Sequence, residues 1–335
     1  MMELSRRTLL AVAFAAASTP LPALAQGRRI TIGVGSGGMD YFGVGGGLAK
    51  LFSDKLGVSA EAQPYAGASL YLPLIENGEV VAGLSSSLES SGAYFGRQGR
   101  TPMPKLRALA RLWPLLYGYV ARADSGLTAI ADLRGKRVLT EIRANVSLTE
   151  ANTAILAAVG LTFADVTPVS VDDLAQALQG LRDKSIDAVA TAVGTAAMRE
   201  ASASVPGGLR WLDLTGPNAT TTFLDKALPG TFIYPISPTP LDPAVVQRTN
   251  LVAFDVFLIV SEALEPDLAK AMLTAIWNGW DQLSQEHPSL QRAKREDIGR
   301  ASNTVPYHAA AIEFFREKKI WTDTNEAREK GFKKG

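Results

Sequence analysis

Short apolar segments alternate with segments of helical periodicity along the first two thirds of the chain. The apolar segments predict strands at residues 29–34, 58–63, 80–84, 106–113, 117–122, 137–140, 166–169 and 186–190. Apolar positions spaced three and four residues apart predict helices that end at residue 56 or span 70–75, 149–159, 171–181 and 195–203. This β-α alternation is typical of parallel sheets that are covered by helices on both faces.

The last quarter of the chain has a different pattern. Four prolines between residues 235 and 243 indicate an irregular segment, because proline cannot take part in a central strand. A strand is predicted at 251–260. After it, a helix starts at Pro266 and continues to about Leu283, and a final helix contains residues 312–315.

These elements predict an α/β protein of two lobes with helical C-terminal packing. We expect residues 28–119 and 240–335 to form one lobe and residues 120–239 to form the other. The chain would cross between the lobes near Tyr119–Ala123 and again in the segment that begins at Pro235. These crossings would form the hinge, since a few positions absorb the dihedral change when two lobes move.

The first 25 residues have the order of an export signal. Two arginines, Arg6 and Arg7, precede an apolar run, and Ala23-Leu24-Ala25 ends it as a small-x-small cleavage site before Gln26. The Ser-Arg-Arg-x-Leu-Leu run is similar to a twin-arginine signal. The alternative is an uncleaved membrane anchor, which the short, proline-containing apolar run disfavours. We therefore expect cleavage near Ala25/Gln26 and a periplasmic protein.

Charge and composition exclude several functional classes. The 335 residues carry 34 Lys+Arg against 33 Asp+Glu, and this balance argues against a nucleic-acid partner. Cysteine is absent, so disulfides, thiolate metal sites, a cysteine nucleophile and a lipidated N-terminal cysteine are excluded. The two histidines, His287 and His308, lack the partners of a catalytic triad or a metal site. No catalytic residue and no metal site is therefore predicted.

A glycine-rich stretch at residues 33–47 is the most informative motif. Gly33, Gly35 and Gly38 fit the pattern G-x-G-x-x-G between a strand and a helix. One interpretation is a dinucleotide site. A second is a binding site for a carboxylate, because free N–H groups at a helix start attract any anion. A third is a packing turn with no ligand. The sequence leaves all three open.

Five stretches of the chain carry motifs in a characteristic order. They are residues 33–45, 67–79 with 93–96, 122–138, 186–194 and 305–315. In this order they resemble the TAXI family, the solute receptors of tripartite ATP-independent periplasmic (TRAP) transporters. The chain departs from the usual pattern at Tyr71, at Val81 and in the loop Thr140–Ser147.

The resemblance implies a two-lobed fold like that of type II periplasmic binding proteins, with a ligand cleft between the lobes. It implies a receptor, not an enzyme, that binds a small carboxylate such as an acidic amino acid or an organic acid. The implied partners are the integral-membrane subunits of a TRAP transporter. Neither a cofactor nor a nucleic-acid partner is implied, and a monomer is expected.

The candidate ligand residues come from the turns that follow predicted strands. They are Ser36, Gly37, Gly38, Tyr41, Tyr65, Ser86, Arg143, Asn145, Gly194 and Thr195. Glycine-freed N–H groups and a helix start suit an anion, and tyrosine rings suit the wall of a partly apolar pocket. The resemblance to the TAXI family favours Ser86 among its neighbouring serines.

Arg143 is the sharpest of these candidates, because a guanidinium can bind a carboxylate through two charge-assisted hydrogen bonds. The alternatives are a solvated arginine or one paired with Glu141. Asn145 and Ser147 either bind the ligand or cap the next helix, and capping is favoured for Ser147.

Two other functions remain open. An exported NAD(P)-dependent oxidoreductase would explain both the twin-arginine signal and the G-x-G-x-x-G pattern. Enzymes of that kind typically carry a Glu-Lys-Pro signature, which this sequence lacks. A receptor that serves a sensor kinase or a different transporter is the third possibility.

Overall fold

The computed structural model describes residues 29–35, 40–143, 146–240 and 242–332. Over this part of the chain, ten strands form one sheet. The strands are β1 Arg29–Gly35, β2 Ser59–Tyr65, β3 Ala82–Ser86, β4 Leu106–Arg122, β5 Arg137–Ile142, β6 Thr167–Val171, β7 Ala188–Ala192, β8 Leu209–Trp211, β9 Thr231–Ile236 and β10 Thr249–Ser261.

Helices follow most of these strands. They are α1 Tyr41–Leu56, α2 Ala68–Glu76, α3 Ser87–Phe95, α4 Val146–Ala158, α5 Leu174–Arg182, α6 Ala196–Ser204, α7 Thr221–Ala227, α8 Pro266–Glu286, α9 Ala309–Glu317 and α10 Asp323–Phe332. Helices α3, α5, α6 and α7 are each capped by a side-chain oxygen that accepts a backbone N–H of the first turn. The capping residues are Ser86, Asp173, Thr195 and Thr220. Most of the predicted elements therefore form close to their expected positions.

The sheet has the strand order β2-β1-β3-β10-β4-β7-β5-β6, with β8 on β4 and β9 on β10. β1 is parallel to β2 and β3, and β5 is parallel to β6 and β7. Between these two groups, β10 is antiparallel to both β3 and β4, and β4 is antiparallel to β7. The expectation of parallel sheets is therefore corrected: the sheet is mixed, with two parallel groups joined by an antiparallel pair.

The strands predicted at 106–113 and 117–122 are a single strand, β4, of 17 residues. Pro114 lies inside it and pairs with Asp255 of β10. Proline has no N–H to donate, so it is tolerated where a ladder is irregular. The β4–β10 ladder is irregular next to this position, with a register shift between Val256 and Phe257.

The long strands β4 and β10 connect the two parallel groups. In β10, residues 256–260 pair with β3, whereas residues 249–254 pair with β9. In β4, residues 117–121 pair with β7 of the second group. The buried side chains form two core clusters, and the smaller one is built around Val120 and Trp211 on the second side. The larger cluster contains Ile32 of the first parallel group together with Val138 and Ala188 of the second. The chain thus has two halves, each built on one parallel group, that share core packing as well as the strand pair β4–β10.

The helical C-terminal packing is present. Helix α8 lies against α1, where Gly279 permits an approach so close that an added Cβ would be 2.6 Å from Leu51. Phe314 and Phe315 of α9 are fully buried against the core. α10 lies beyond the last helix that the sequence pattern indicated, and its Glu329 accepts a hydrogen bond from the backbone of Tyr307.

Candidate ligand-binding site

The described candidate residues lie at the carboxyl ends of parallel strands, where helices begin. Tyr41 is the first residue of α1 after β1, and Ser86 joins β3 to α3. In the other half, Arg143 follows β5, and Gly194 with Thr195 connects β7 to α6. Ligands of α/β proteins bind at these strand ends, because helix N-termini and loop side chains converge there.

Four of the predicted residues cannot be placed. Ser36, Gly37, Gly38 and Asn145 lie outside the described residues. Their contribution to a ligand site remains a prediction.

Tyr41 is buried and lies against the long strand β4. Its ring meets Trp113 edge to face at 5.5 Å between centroids, and the residue is 6% exposed. Burial raises the pKa of the Tyr41 phenol, and the nearby Glu89 raises it further. The hydroxyl therefore stays protonated at neutral pH and is available as a hydrogen-bond donor.

Tyr65 is half-buried beside Tyr71, with ring centroids 5.4 Å apart. The Tyr71 hydroxyl donates to the carbonyl of Leu84. A Cβ on Gly33 or on Gly83 would lie 2.7 Å from the Tyr71 ring. Gly33, the first glycine of the G-x-G-x-x-G pattern, therefore leaves the space that the Tyr71 ring occupies. Close packing explains why glycine stands at this position.

Two further glycines of the same stretch are also packing positions. A Cβ on Gly45 would lie 2.4 Å from Val34 of β1, and one on Gly47 would lie 2.3 Å from the ring of His287. Helix α1 is thus pressed against both β1 and the segment that follows α8. This supports the packing interpretation for part of the stretch, while Gly38 is not described.

Ser86 caps α3. Its side-chain oxygen accepts the N–H of Glu89 at 3.1 Å, and its carbonyl accepts the Ser90 hydroxyl at 2.8 Å. The hydroxyl groups of Ser87 and Ser91, on the same helix, are buried without a hydrogen-bond partner among the described residues. Capping is therefore one role of Ser86, and its own hydroxyl hydrogen stays available to a ligand.

Arg143 forms an exposed ion pair with Asp172, with 2.5 Å between Nη1 and Oδ1. Its backbone N–H donates to Val171 at 3.0 Å. The alternative pairing with Glu141 is wrong, because the Glu141 carboxylate accepts the Ser170 hydroxyl instead. Ser147 is the second residue of α4, in its first turn, and its capping role stays a prediction.

Gly194 and Thr195 form a tightly bonded start of α6. The N–H of Gly194 donates to the buried carboxylate of Asp242 at 3.0 Å, and its carbonyl accepts Arg199 Nη1 at 2.6 Å. The Thr195 hydroxyl oxygen accepts the N–H of Met198 at 3.2 Å. Gly194 has φ +79°, a left-handed conformation that favours glycine.

Sequence reasoning missed Arg292. It ends the 3₁₀ segment Pro288–Arg292 after α8, and a Cβ on Gly194 would lie 3.4 Å from its Nη2. Burial lowers the pKa of Arg292, against the opposing influence of Asp40, Tyr234 and Asp242. Nothing in the local pattern of residues 288–292 signals a ligand contact, since the approach to Gly194 arises only from tertiary packing.

Within the described ranges, no group of three or more His, Asp or Glu side chains could hold a metal ion. The helices of this part of the chain include none that is both long and apolar enough to cross a bilayer.

A model of the NMT1-like family matches residues 32–318. A solved structure described as a periplasmic transporter has a TM-score of 0.53 and 12% identity, and the match covers 92% of this chain and 97% of that one. A histidine kinase sensor domain similar to periplasmic binding proteins has a TM-score of 0.49 and 14% identity, covering 78% and 95%. The GluR0 ligand-binding core complex with L-glutamate has a TM-score of 0.49 and 12% identity, covering 80% and 99%.

The match to the periplasmic transporter extends over nearly the whole of both chains and shows the fold. The predicted fold class, a two-lobed α/β architecture of the periplasmic-binding-protein kind, is confirmed. The family match and the fold together support a solute-binding protein. They do not identify the type of transporter that it serves.

Proposed function

The chain belongs to the NMT1-like family, and from that membership and its fold we propose that it is an extracytoplasmic solute-binding receptor for a small organic anion. It captures the solute between its two halves and delivers it to membrane transport subunits. Solute binding makes and breaks no covalent bond. Contacts from both halves favour the closed form, so the solute acts by shifting a population between open and closed states.

The observation that carries this proposal is the position of the polar groups relative to the sheet. Tyr41 and Ser86 lie at strand ends of one parallel group, and Arg143 and Gly194 lie at strand ends of the other. The antiparallel pair β4–β10 separates the two groups and connects them. A solute that touches both sets would hold the two halves together.

The proposed solute carries a carboxylate. Helices α1 and α6 begin at the candidate site, and a helix N-terminus favours an anion. Arg143 is a proposed contact from the second half. Its ion pair with Asp172 is exposed on both sides, and such a pair is worth only about 0–1 kcal/mol, so the guanidinium is available to a ligand.

The proposed partners are TRAP transporter subunits, and this rests on the resemblance of five ordered stretches to the TAXI family. The proposed division into residues 28–119 with 240–335, and 120–239, follows the same resemblance and the place of β4 and β10 between the two parallel groups. The export segment of residues 1–25 lies outside the described residues, and periplasmic location is supported by the fold of the chain.

A thermal-shift screen tests the proposed function. The purified protein is heated with L-glutamate, succinate and other small organic acids, and in parallel with NAD⁺ and NADP⁺. The proposal predicts that at least one acid raises the melting temperature, because a ligand that binds only the folded state stabilises it. A shift with a nicotinamide cofactor and none with any acid would overturn the proposal in favour of a cofactor-binding enzyme.

A further inference from the structure

Arg292 is held in place by the first half of the protein. The hydroxyl of Ser289, three residues before it, donates to the carboxylate of Asp40 directly before α1. The ring of His287 fills the space over Gly47, where an added Cβ would be 2.3 Å from Nε2. Residues 287–292 are therefore anchored on the start of α1, at the end of the glycine-rich turn.

From this anchor the guanidinium of Arg292 reaches the second half. An added Cβ on Gly194 would lie 3.4 Å from its Nη2, so the missing side chain at Gly194 leaves room for the arginine. Two carboxylates exert an electrostatic influence on it from separate places: Asp40 before α1 and Asp242 after β9. Arg292 thus lies beside the start of α6, and Asp40 at the start of α1 acts on it electrostatically.

The two nearby carboxylates already have hydrogen-bond donors of their own. Asp242 is buried and accepts the N–H groups of Gly194 and Ala244, both at 3.0 Å. Asp40 accepts the Ser289 hydroxyl. Within the ranges that the structure describes, neither carboxylate forms an ion pair with Arg292, and its interaction with both is a longer-range attraction.

A mostly buried guanidinium without an ion pair is costly, because burial removes the hydration of the charge. The cost is recovered when an anion enters and accepts two parallel N–H bonds from the planar fork. Arginine suits this role, since it stays charged at every physiological pH even where burial lowers its pKa.

We infer that Arg292 binds the negatively charged group of the solute, between the start of α1 and the start of α6. This inference rests on the proposed function and specifies its ligand: an anion with a planar or forked oxygen group, such as a carboxylate. Arg292 is anchored on the first half of the protein, and its guanidinium lies next to Gly194 of the second half, so an anion bound to it lies near both halves. Binding there couples recognition of charge to closure.

The test compares each acid by calorimetry with its full amide, in which no carboxylate remains: L-glutamate with L-glutaminamide, and succinate with succinamide. The variants are Arg292→Gln, which removes the charge, and Arg292→Lys, which keeps it without the fork. Arg295→Gln is the matched control. It lies three residues further on, and its guanidinium is 5.3 Å from the centroid of the Trp277 ring.

For the acid that binds wild-type protein, Arg292→Gln should weaken affinity ten- to a hundredfold, the loss expected for hydrogen bonds to a charged group. Affinity for the matching amide should change less than about threefold, and Arg292→Lys should lie between wild type and Arg292→Gln. Arg295→Gln should leave both affinities within about threefold, a change of less than about 0.7 kcal/mol.

Three outcomes would overturn the inference. If folded Arg292→Gln keeps its acid affinity, or loses acid and amide affinity equally, Arg292 has only a structural role. If Arg292→Gln does not fold, Arg292→Lys decides, and an unchanged preference for acid over amide refutes the inference. If wild-type protein binds none of the acids, the proposed ligand class fails, and this inference fails with it.

Discussion

Arg111 of β4 and Asp255 of β10 form a buried ion pair at the junction of the two halves. Nε and Nη2 of Arg111 both donate to Oδ1 of Asp255, at 2.9 and 2.6 Å, and the side chains are 1% and 0% exposed. The Ser302 hydroxyl donates to the other carboxylate oxygen. Asp255 lies between the β10 residues that pair with β9 and those that pair with β3. The pair therefore fixes the two long strands where the halves meet.

Replacing Asp255 with Asn should destabilise the protein strongly. Arg111 would remain as a buried cation that keeps only the more distant Asp297, 3.8 Å from its Nη1. Breaking a buried pair in this way costs about 3–5 kcal/mol. Urea denaturation of wild type and Asp255→Asn measures the difference in the free energy of unfolding.

The matched control for this experiment is Lys50→Ala. Lys50 pairs with Asp54 one helical turn away, and both side chains are more than half exposed. Water screens such an exposed pair, so it contributes little to stability. If Asp255→Asn costs no more than Lys50→Ala, the buried pair does not stabilise the junction.

Two adjacent glycines of α1 should respond in opposite directions to alanine. A Cβ at Gly45 meets Val34 at 2.4 Å, whereas none of the heavy atoms that the structure describes lies within 4 Å of a Cβ at Gly46. Overpacking should cost Gly45→Ala about 1–3 kcal/mol. Gly46→Ala should gain about 0.5–1 kcal/mol, because alanine suits a helix interior better than glycine. Thermal denaturation of both variants checks this, and equal effects would contradict the packing described for this helix.

His308 should make the protein less stable in mild acid. Its Nδ1 accepts the N–H of Ala310 at 3.2 Å and its Nε2 lies 3.1 Å from the Leu264 carbonyl, an arrangement that needs the neutral ring. Burial lowers the pKa of His308 below its ordinary value of 6.5. As the pH falls below about 6.5, the unfolded chain binds a proton that the folded protein does not, so stability decreases.

The variant His308→Asn tests this, because asparagine can still cap α9 without titrating. Between pH 7.5 and 5.5 the free energy of unfolding should decrease less in this variant than in wild type. The difference between the two decreases should be at most about 1.4 kcal/mol for each pH unit below 6.5. Denaturant titrations at both pH values measure the difference. A larger acid loss in the variant would show that the neutral ring is not the stable form.

Arg143→Ala tests the contact proposed from the second half. Loss of a charge-assisted pair to the ligand should weaken affinity for the bound acid roughly ten- to a hundredfold by calorimetry. Asp172→Ala is the control, since it releases Arg143 from its exposed ion pair without removing the guanidinium. A change of less than about threefold in Arg143→Ala would leave Arg143 as a solvated loop residue.

The sequence predicted local elements well and long-range geometry less well. Hydrophobic spacing located β1, β2 and α8 to within about three residues of their ends. It could not reveal that β10 runs antiparallel to β3 and β4, because strand direction is set by the tertiary path of the chain. Hydrophobic spacing also predicted two strands, separated near Pro114, where the structure has the single strand β4. The irregular ladder that tolerates this proline depends on the partner strand β10, which the local sequence does not show.

The positions of the candidate residues were predictable where a strand is followed by a helix. Tyr41, Ser86, Gly194 and Thr195 all lie at such junctions, as their spacing indicated. Arg292 was not predictable, because it reaches Gly194 from a segment almost a hundred residues further along the chain. Local pattern carries no information on which distant segments meet.

The central claim is that this protein binds one small organic anion between its two halves. Isothermal titration of the purified wild-type protein with the acid that gives the largest thermal shift tests it most directly. We expect one acid to bind per chain, at least about tenfold tighter than its full amide, and to be recovered chemically unchanged. Binding of NAD⁺ or NADP⁺ with no detectable binding of any acid would contradict it.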